Sequence, residues 1–466
     1  MIRLHFRLLF TVCALAPTGC VFAPDGTDAE RDRLAQAGAA YARTEQTERS
    51  LPELSSAPTR DELLARAALA NGELEAAFHE WRAALARVDV EGAWPNTNVA
   101  LDFEYMFSGG SASAFDRTTF GAGFDPMQNL DWPSETKRAA RVAFAEARAA
   151  GERFRAARFA LARRVTELVA DGTLLDERVR AQRERVELAR VASDTSAARI
   201  ESGGRQRALV DAQLDSVRQE NELVRLESEL VATRTSLNAL VARDPSAPIA
   251  FALPLPVALP ADDDLLAAGA AANPELAALA HEVEGRTDAL ELARLRRLPD
   301  VNPFVAFTGS ASQSIGAMLS LPLHRVKLNA EIEIARAELD RARALARQAR
   351  ADRGAELVAR LFALRSTDTL AAYFDRSLTP AAAQLEQSAQ DAYVAGSTDL
   401  PEWIESRTFA LELRVARAEL AAERARIVAA IEELIGDELQ NVRRRAETDE
   451  ADPARISMTT TMEVKP

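Results

Sequence analysis

The sequence predicts a mainly α-helical chain with a small β part: two tandem repeats of long antiparallel coiled helices, each repeat carrying one β-hairpin. Three observations predict it. Two helical stretches of about 69 residues, 134–202 and 327–395, would each reach ~100 Å at 1.5 Å per residue. Each is followed by a glycine, Gly203 in Ile200-Glu201-Ser202-Gly203 and Gly396 in Tyr393-Val394-Ala395-Gly396, where a helix can end in a left-handed turn. At matching places in the two halves, a short segment changes from helical spacing to strict alternation.

Composition sets the bounds. Ala, Arg, Glu and Leu dominate and aromatics are only 6%, the balance of a coiled coil. A net charge of −14 argues against a nucleic-acid surface. Beyond the N-terminus no run of about 18 apolar residues occurs, so no bilayer-crossing helix is expected. The two cysteines, Cys13 and Cys20, leave nothing downstream for a disulfide framework or a zinc site. His5, His79, His281 and His324 show no ligand or triad spacing, and no glycine loop cradles a phosphate. A hydrolase or metalloenzyme is therefore disfavoured, and no catalytic residue, metal or cofactor is expected.

Residues 1–19 read as a signal peptide, with Arg3 and Arg7 before the apolar run Leu8–Ala16. Residues 20–58 are polar and expected to be poorly ordered. The first repeat, 59–240, opens with a helix from Arg60 to Val90, capped by Thr59 and carrying Asp61 and Glu62 in its first turn. A hairpin over about 97–126 follows: Val99–Phe107 places apolar residues at odd positions, and Thr118–Phe124 places Phe120, Ala122 and Phe124 on one face. Trp94 and Trp132 bracket its base, either as interface aromatics of membrane strands or as ordinary core residues. Pro133 starts the first long helix, with Gly151 and Asp171-Gly172 as candidate kinks. The return helix, Arg205–Leu240, shows Leu223, Leu226, Leu230, Leu237 and Leu240, broken only at Thr233.

A Pro-rich linker, 241–261, is expected to pack on the outside of the helices. In the second repeat, 262–436, Asn273-Pro274-Glu275-Leu276 echoes Asn71-Gly72-Glu73-Leu74, while Pro299 and Pro322 echo Pro95 and Pro133. Its hairpin, about 301–321, is shorter, with 22 residues between its prolines against 37 in the first. Leu328, Ile332, Ala335, Leu339, Ala342 and Ala346 form the seam of the second long helix. The final helix, 399–435, carries Phe409, Leu413, Leu420, Ile427 and Leu434 and stops at Gly436. Residues 437–466 are expected to be a disordered polar tail. Four strands cannot close a barrel, and open edges cannot face lipid, so membrane strands here would need several chains.

Two resemblances add to this reading. Pro17-Thr18-Gly19-Cys20 resembles a bacterial lipobox, with Pro17 where leucine is usual, and implies a lipidated Cys20. The order of motifs over about 59–436 resembles the TolC-type outer-membrane factors, including their lipoprotein branch. It is carried by Asn273-Pro274-Glu275-Leu276, Leu298-Pro299-Asp300, Leu319-Ser320-Leu321-Pro322-Leu323, Tyr393-Val394-Ala395-Gly396 and Leu434-Ile435-Gly436.

That resemblance implies a homotrimer: an α-barrel tunnel through the periplasm, continuous with a shared 12-stranded β-barrel in the outer membrane. It implies the passive exit duct of a tripartite efflux or type I secretion system. The tip turns at Gly203 and Gly396 would meet a periplasmic adaptor (membrane fusion) protein, itself joined to an inner-membrane pump. Glu402 and Glu405, after the second tip glycine, would form an acidic entrance ring that favours cations; the same acids also suit any helix N-terminus. Thr398 stands where the best-known member has an arginine, so no arginine latch is expected there. Arg153, Arg155, Arg158, Arg163 and Arg164 are expected to be solvated or paired with Glu. The alternative is a lipid-anchored periplasmic coiled-coil adaptor or scaffold without a pore, although adaptors usually nest one coiled hairpin in a lipoyl-like domain.

Overall fold

The computed structural model describes residues 21–39, 41, 51–93, 99–107, 113, 115–124, 132–201, 206–253, 259–308 and 312–450. They form two compact units. One comprises Met1–Ala39, Ala77–Phe154 and Glu275–Ala349; the other comprises Ala40–Ala76, Arg155–Pro274 and Arg350–Pro466.

The N-terminal segment departs from expectation. Thr27–Gly38 is a helix, α1, rather than part of a loose polar stretch. Its docking is polar, which is why hydropathy does not reveal it. Glu30 is only 7% exposed and accepts from the Trp81 indole at 2.9 Å. Arg33 joins the buried Glu152 at 2.6 Å and stacks over Trp81. Buried charges paired in this way are stable only where each finds its partners.

The helix expected from Arg60 to Val90 is divided at Asn71 into α2 (Arg60–Ala70) and α3 (Gly72–Gly92). Thr59 and Glu62 make a reciprocal capping box at the start of α2. Asn71 is extended and its side chain accepts from the Leu74 N–H at 2.8 Å, so it ends one helix and caps the next. Asn273 likewise stands between two helices, α6 (Asp262–Ala272) and α7 (Pro274–Leu295). There the Asn273 amide donates to the Leu434 carbonyl at 2.6 Å. Two motifs far apart in sequence thus meet.

Between these pairs lie α4 (Pro133–Glu201), 69 residues without a break, and α5 (Gln206–Leu240). Gly151 and Gly172 both lie inside this unbroken helix and admit large neighbours. A Cβ at Gly151 would lie 2.9 Å from the Trp81 ring, and one at Gly172 would lie 2.3 Å from Phe251. Leu226 and Leu230 of α5 pack on Leu175 and Val179 of α4, with Leu223 and the linker residue Phe251 against them.

The second long stretch is not one helix. It divides into α8 (Arg325–Tyr373), a π turn (Phe374–Leu378) and α9 (Thr379–Val394). Pro380 has no N–H, and inside a regular helix its ring would strike the carbonyl four residues back. Widening to a π turn, in which the Thr379 N–H reaches the Phe374 carbonyl, removes that conflict. The last long helix is α10 (Leu400–Ile435). The expected tail instead begins with α11 (Leu439–Glu450), whose Leu439 and Val442 enter the core with Leu265, Leu361, Ile431 and Ile435. Two apolar side chains suffice to dock it, too few to stand out in a charged stretch.

The strands β1 (Val99–Tyr105), β2 (Thr118–Phe124), β3 (Asp300–Thr308) and β4 (Ser312–Ser320) form one antiparallel sheet in chain order. Leu101, Ala122, Val305 and Ile315 share one row across it; Asp102, Gly121, Ala306 and Ser314 share the next. The second hairpin has nine-residue strands against seven in the first, so its shortness lies in the turn. Pro303 pairs with β4 alone, beyond the end of the β2 ladder, where a missing N–H does no harm.

Candidate functional site at the Gly396 turn

The chain turns between α9 and α10 over the five residues 395–399, and the N–H groups of Ala395 to Thr398 each find a carbonyl. The Ser397 N–H reaches the Ala392 carbonyl at 2.9 Å, and the Gly396 N–H reaches that of Tyr393 at 3.0 Å. This is a Schellman turn, and Gly396 sits at φ +71, as its left-handed position requires. A Cβ there would meet nothing within 4 Å, so only the backbone conformation calls for glycine. Asp399 then caps α10, accepting from the Glu402 N–H at 3.2 Å, and Pro401 occupies the first turn, where it needs no donor. Tyr393 and Trp403 stack across the turn with ring centroids 5.7 Å apart.

Glu402 and Glu405 both lie exposed in the opening turns of α10. Spaced three apart, they share one side of the helix. The Glu402 carboxylate accepts from the Thr398 hydroxyl. Thus Thr398, where no arginine latch was expected, fastens the turn through its hydroxyl. Neither acid makes an ion pair among the described residues. Gly203 and Cys20 lie outside the described residues, as do the signal peptide and Trp94. Trp132 donates its indole N–H to the Pro299 carbonyl at 2.9 Å, tying the base of one hairpin to the start of the other.

Below the turn lies an ion-pair ladder that sequence reading missed. Arg407 of α10 bonds Glu386 of α9 and, at 2.7 Å, Glu184 of α4. Seven residues on, Arg414 bonds Glu184 at 2.9 Å and Glu177 at 2.5 Å. Partial burial acts to raise the Glu184 carboxyl, but its bonds to Arg414 and Arg407 outweigh this and hold it below the usual carboxylate range. Arg414 is raised in turn: its own desolvation is outweighed by Glu184 and Glu177. The only sequence signal was the seven-residue spacing of the two arginines and of the two glutamates. The dense arginines of α4 behave similarly: Arg163 joins Glu433 at 2.8 Å, and Arg155 donates to the Gly436 carbonyl at 2.6 Å.

Among the described residues no helix is long and apolar enough to cross a membrane, and no group of side chains could hold a metal ion.

Residues 63–243 match the family described as outer membrane efflux protein. The fold is shared with solved outer-membrane proteins at low sequence identity. The outer-membrane channel OprN is 17% identical, with a TM-score of 0.65 over 91% of this chain and 98% of that one. The outer membrane protein VceC of Vibrio cholerae is 16% identical, with a TM-score of 0.66 over 82% of this chain and 96% of that one. The CmeC outer membrane channel of Campylobacter jejuni is 14% identical, with a TM-score of 0.65 over 85% and 93%. No curated protein sequence matches the chain significantly.

Proposed function

We propose that the chain is the passive exit duct of a tripartite efflux or type I secretion system; the match of residues 63–243 to the outer membrane efflux protein family and the fold shared with solved outer-membrane channels support this. The observation that carries this reading is the sheet. It is four strands wide and open at β1 and β4. Phe103, Phe120, Ile315 and Leu319, from alternate rows, all stand exposed to solvent; Ile315 is 84% exposed. An apolar face with two open edges is unstable in water and becomes stable when copies complete a closed barrel in lipid. Three copies would give twelve strands.

In this trimer the two repeats form a helical tunnel, and the turns at Gly396 and, by its sequence echo, Gly203 meet an adaptor that couples to an inner-membrane pump. Glu402 and Glu405 ring the entrance. Their exposure, and their making no ion pair among the described residues, support that role. Cys20 carries the lipid anchor. In support, the Phe22 N–H is held on the Gly92 carbonyl at 2.8 Å, near the start of the first hairpin.

The test is extraction from the outer-membrane fraction in mild detergent, followed by planar-bilayer recording. Trimers with discrete conductance steps are expected, with cation preference reduced in Glu402→Ala/Glu405→Ala. Monomers without conductance overturn the duct, and unchanged selectivity removes the ring.

A further inference from the structure

We propose that a crevice between the N-terminal strap and the opening turns of α4 binds the headgroup of a phosphatidylethanolamine-type phospholipid; its membrane setting rests on the reading of the hairpins as membrane strands. The strap is a built wall. Phe22 is fixed to Gly92, and the Thr27 hydroxyl donates to the Pro24 carbonyl at 2.7 Å, closing a turn around Asp25. Between this wall and α4 lies a space of about 480 Å³ lined by Phe22, Asp25, Lys137, Arg141 and Phe144. That volume is ample for a small polar group.

The charges around it divide into those already paired and those left over. Arg148 is bound to Glu284 at 3.1 Å, and Arg138 to Asp288. Lys137, Arg141 and Asp25 make no ion pair among the described residues. Lys137 and Arg141 are four apart, on one side of α4. The Lys137 ammonium lies 5.0 Å from the Phe22 ring centre, so the strap also positions that cation. Two cations and one carboxylate around aromatic walls complement a phosphate diester beside a primary ammonium. Arg141 and Lys137 take the phosphate oxygens, and Asp25 accepts from the ammonium.

Position supplies the source. Lys137 follows Trp132, at the hairpin base, by five residues, and Phe22 follows Cys20 by two. Two residues of chain reach at most ~7 Å. The crevice therefore opens at the headgroup level of the leaflet that would hold an acyl chain on Cys20, where tryptophans and basic pockets meet lipid.

The test titrates the full-length protein in dodecyl maltoside with dihexanoyl-phosphatidylethanolamine, dihexanoyl-phosphatidylcholine and inorganic phosphate, by calorimetry. The ethanolamine lipid should bind at least tenfold tighter than the other two. Lys137→Gln/Arg141→Gln should lose at least tenfold in affinity for it. Asp25→Asn should bring it down to the level of the choline lipid, which lacks ammonium N–H donors. Unaltered melting curves exclude misfolding. Equal binding by the Lys137/Arg141 variant overturns the site. Inorganic phosphate binding as tightly as lipid also overturns it, showing a free-anion site instead. Conducting trimers without lipid binding would remove this site alone; lipid binding by a protein that never conducts would remove the duct alone.

Discussion

The two long helical stretches share a heptad seam but bury it differently. The first, α4, buries apolar residues along most of its length, from Ala140, Ala143, Ala147 and Ala150 through Val165 and Val169 to Val179 and Val186. The second, α8, buries Leu339, Leu357, Leu361 and Leu364 but leaves Ile334, Phe362 and Leu370 in water, with Phe362 at 74% exposure. The return helix α5 likewise leaves Val210, Leu214, Val217, Val224 and Val231 exposed, spaced as a second heptad stripe. One chain therefore satisfies only part of its own pattern. Contiguous apolar stripes left in water mark a surface for association.

Charge placed on each helix breaks this comparison most sharply. Val165→Asp puts a carboxylate at a fully buried site and should cost more than about 4 kcal/mol, read as loss of cooperative thermal unfolding. Phe362→Asp should leave the helical melting curve of the chain nearly unchanged while abolishing the proposed trimer in light scattering. If Phe362→Asp trimers persist, the exposed stripe has no partner copy.

A smaller effect separates the turn from the helices it joins. Gly396→Ala must hold alanine at φ +71, at a cost of about 1 kcal/mol, despite open space around it. A melting temperature equal to the parent would mean that the turn does not hold this conformation in solution.

The Glu184 ladder adds a pH signature. Its carboxyl titrates lower in the folded chain than in the unfolded one, so its stabilisation is complete above the unfolded value of about 4.3 and is lost as pH falls through the folded value. Relative to the parent, Glu184→Gln should therefore melt lower at pH 7, by no more than about 1 kcal/mol given its exposure, and should converge with it in strong acid. A gap that widens on acidification would contradict the assignment.

The smallest effect concerns the ends of the two return helices. Gly436 closes α10 at φ +70, while Ala242 closes α5 at φ +48, held by Arg66 on the carbonyls of Val241 and Ala242 at 2.7 and 3.0 Å. Ala242→Gly should gain about 0.5 kcal/mol in chemical denaturation, since the strain outweighs the added chain entropy. A loss instead would show that the arginine cap already compensates.

Much of this was legible because its causes are local. Heptad spacing marks α5, α10 and the first part of α8; strict alternation marks the hairpins; Gly396 and Gly436 mark turns whose backbone needs them. Reading went wrong where a local signal was overridden or too slight. Pro380 lies well beyond the seam of residues 328–346 that marked this stretch as helix, and a single π turn lets the helix pass it. Asn71 and Asn273 look like ordinary polar residues inside helices, yet each ends one helix and starts another. The segments α1 and α11 have disordered composition, and a handful of buried contacts order them.

The sequence by itself determined the long helices, the strands and the reversal at Gly396, because periodicity and backbone preference act between residues a few positions apart. Only the tertiary structure decided which carboxylate meets which guanidinium, that Asn273 would seize the end of α10, and which apolar stripes stay uncovered. Those outcomes join residues hundreds of positions apart, such as Arg407 and Glu184, and depend on which surfaces face each other once the helices have packed.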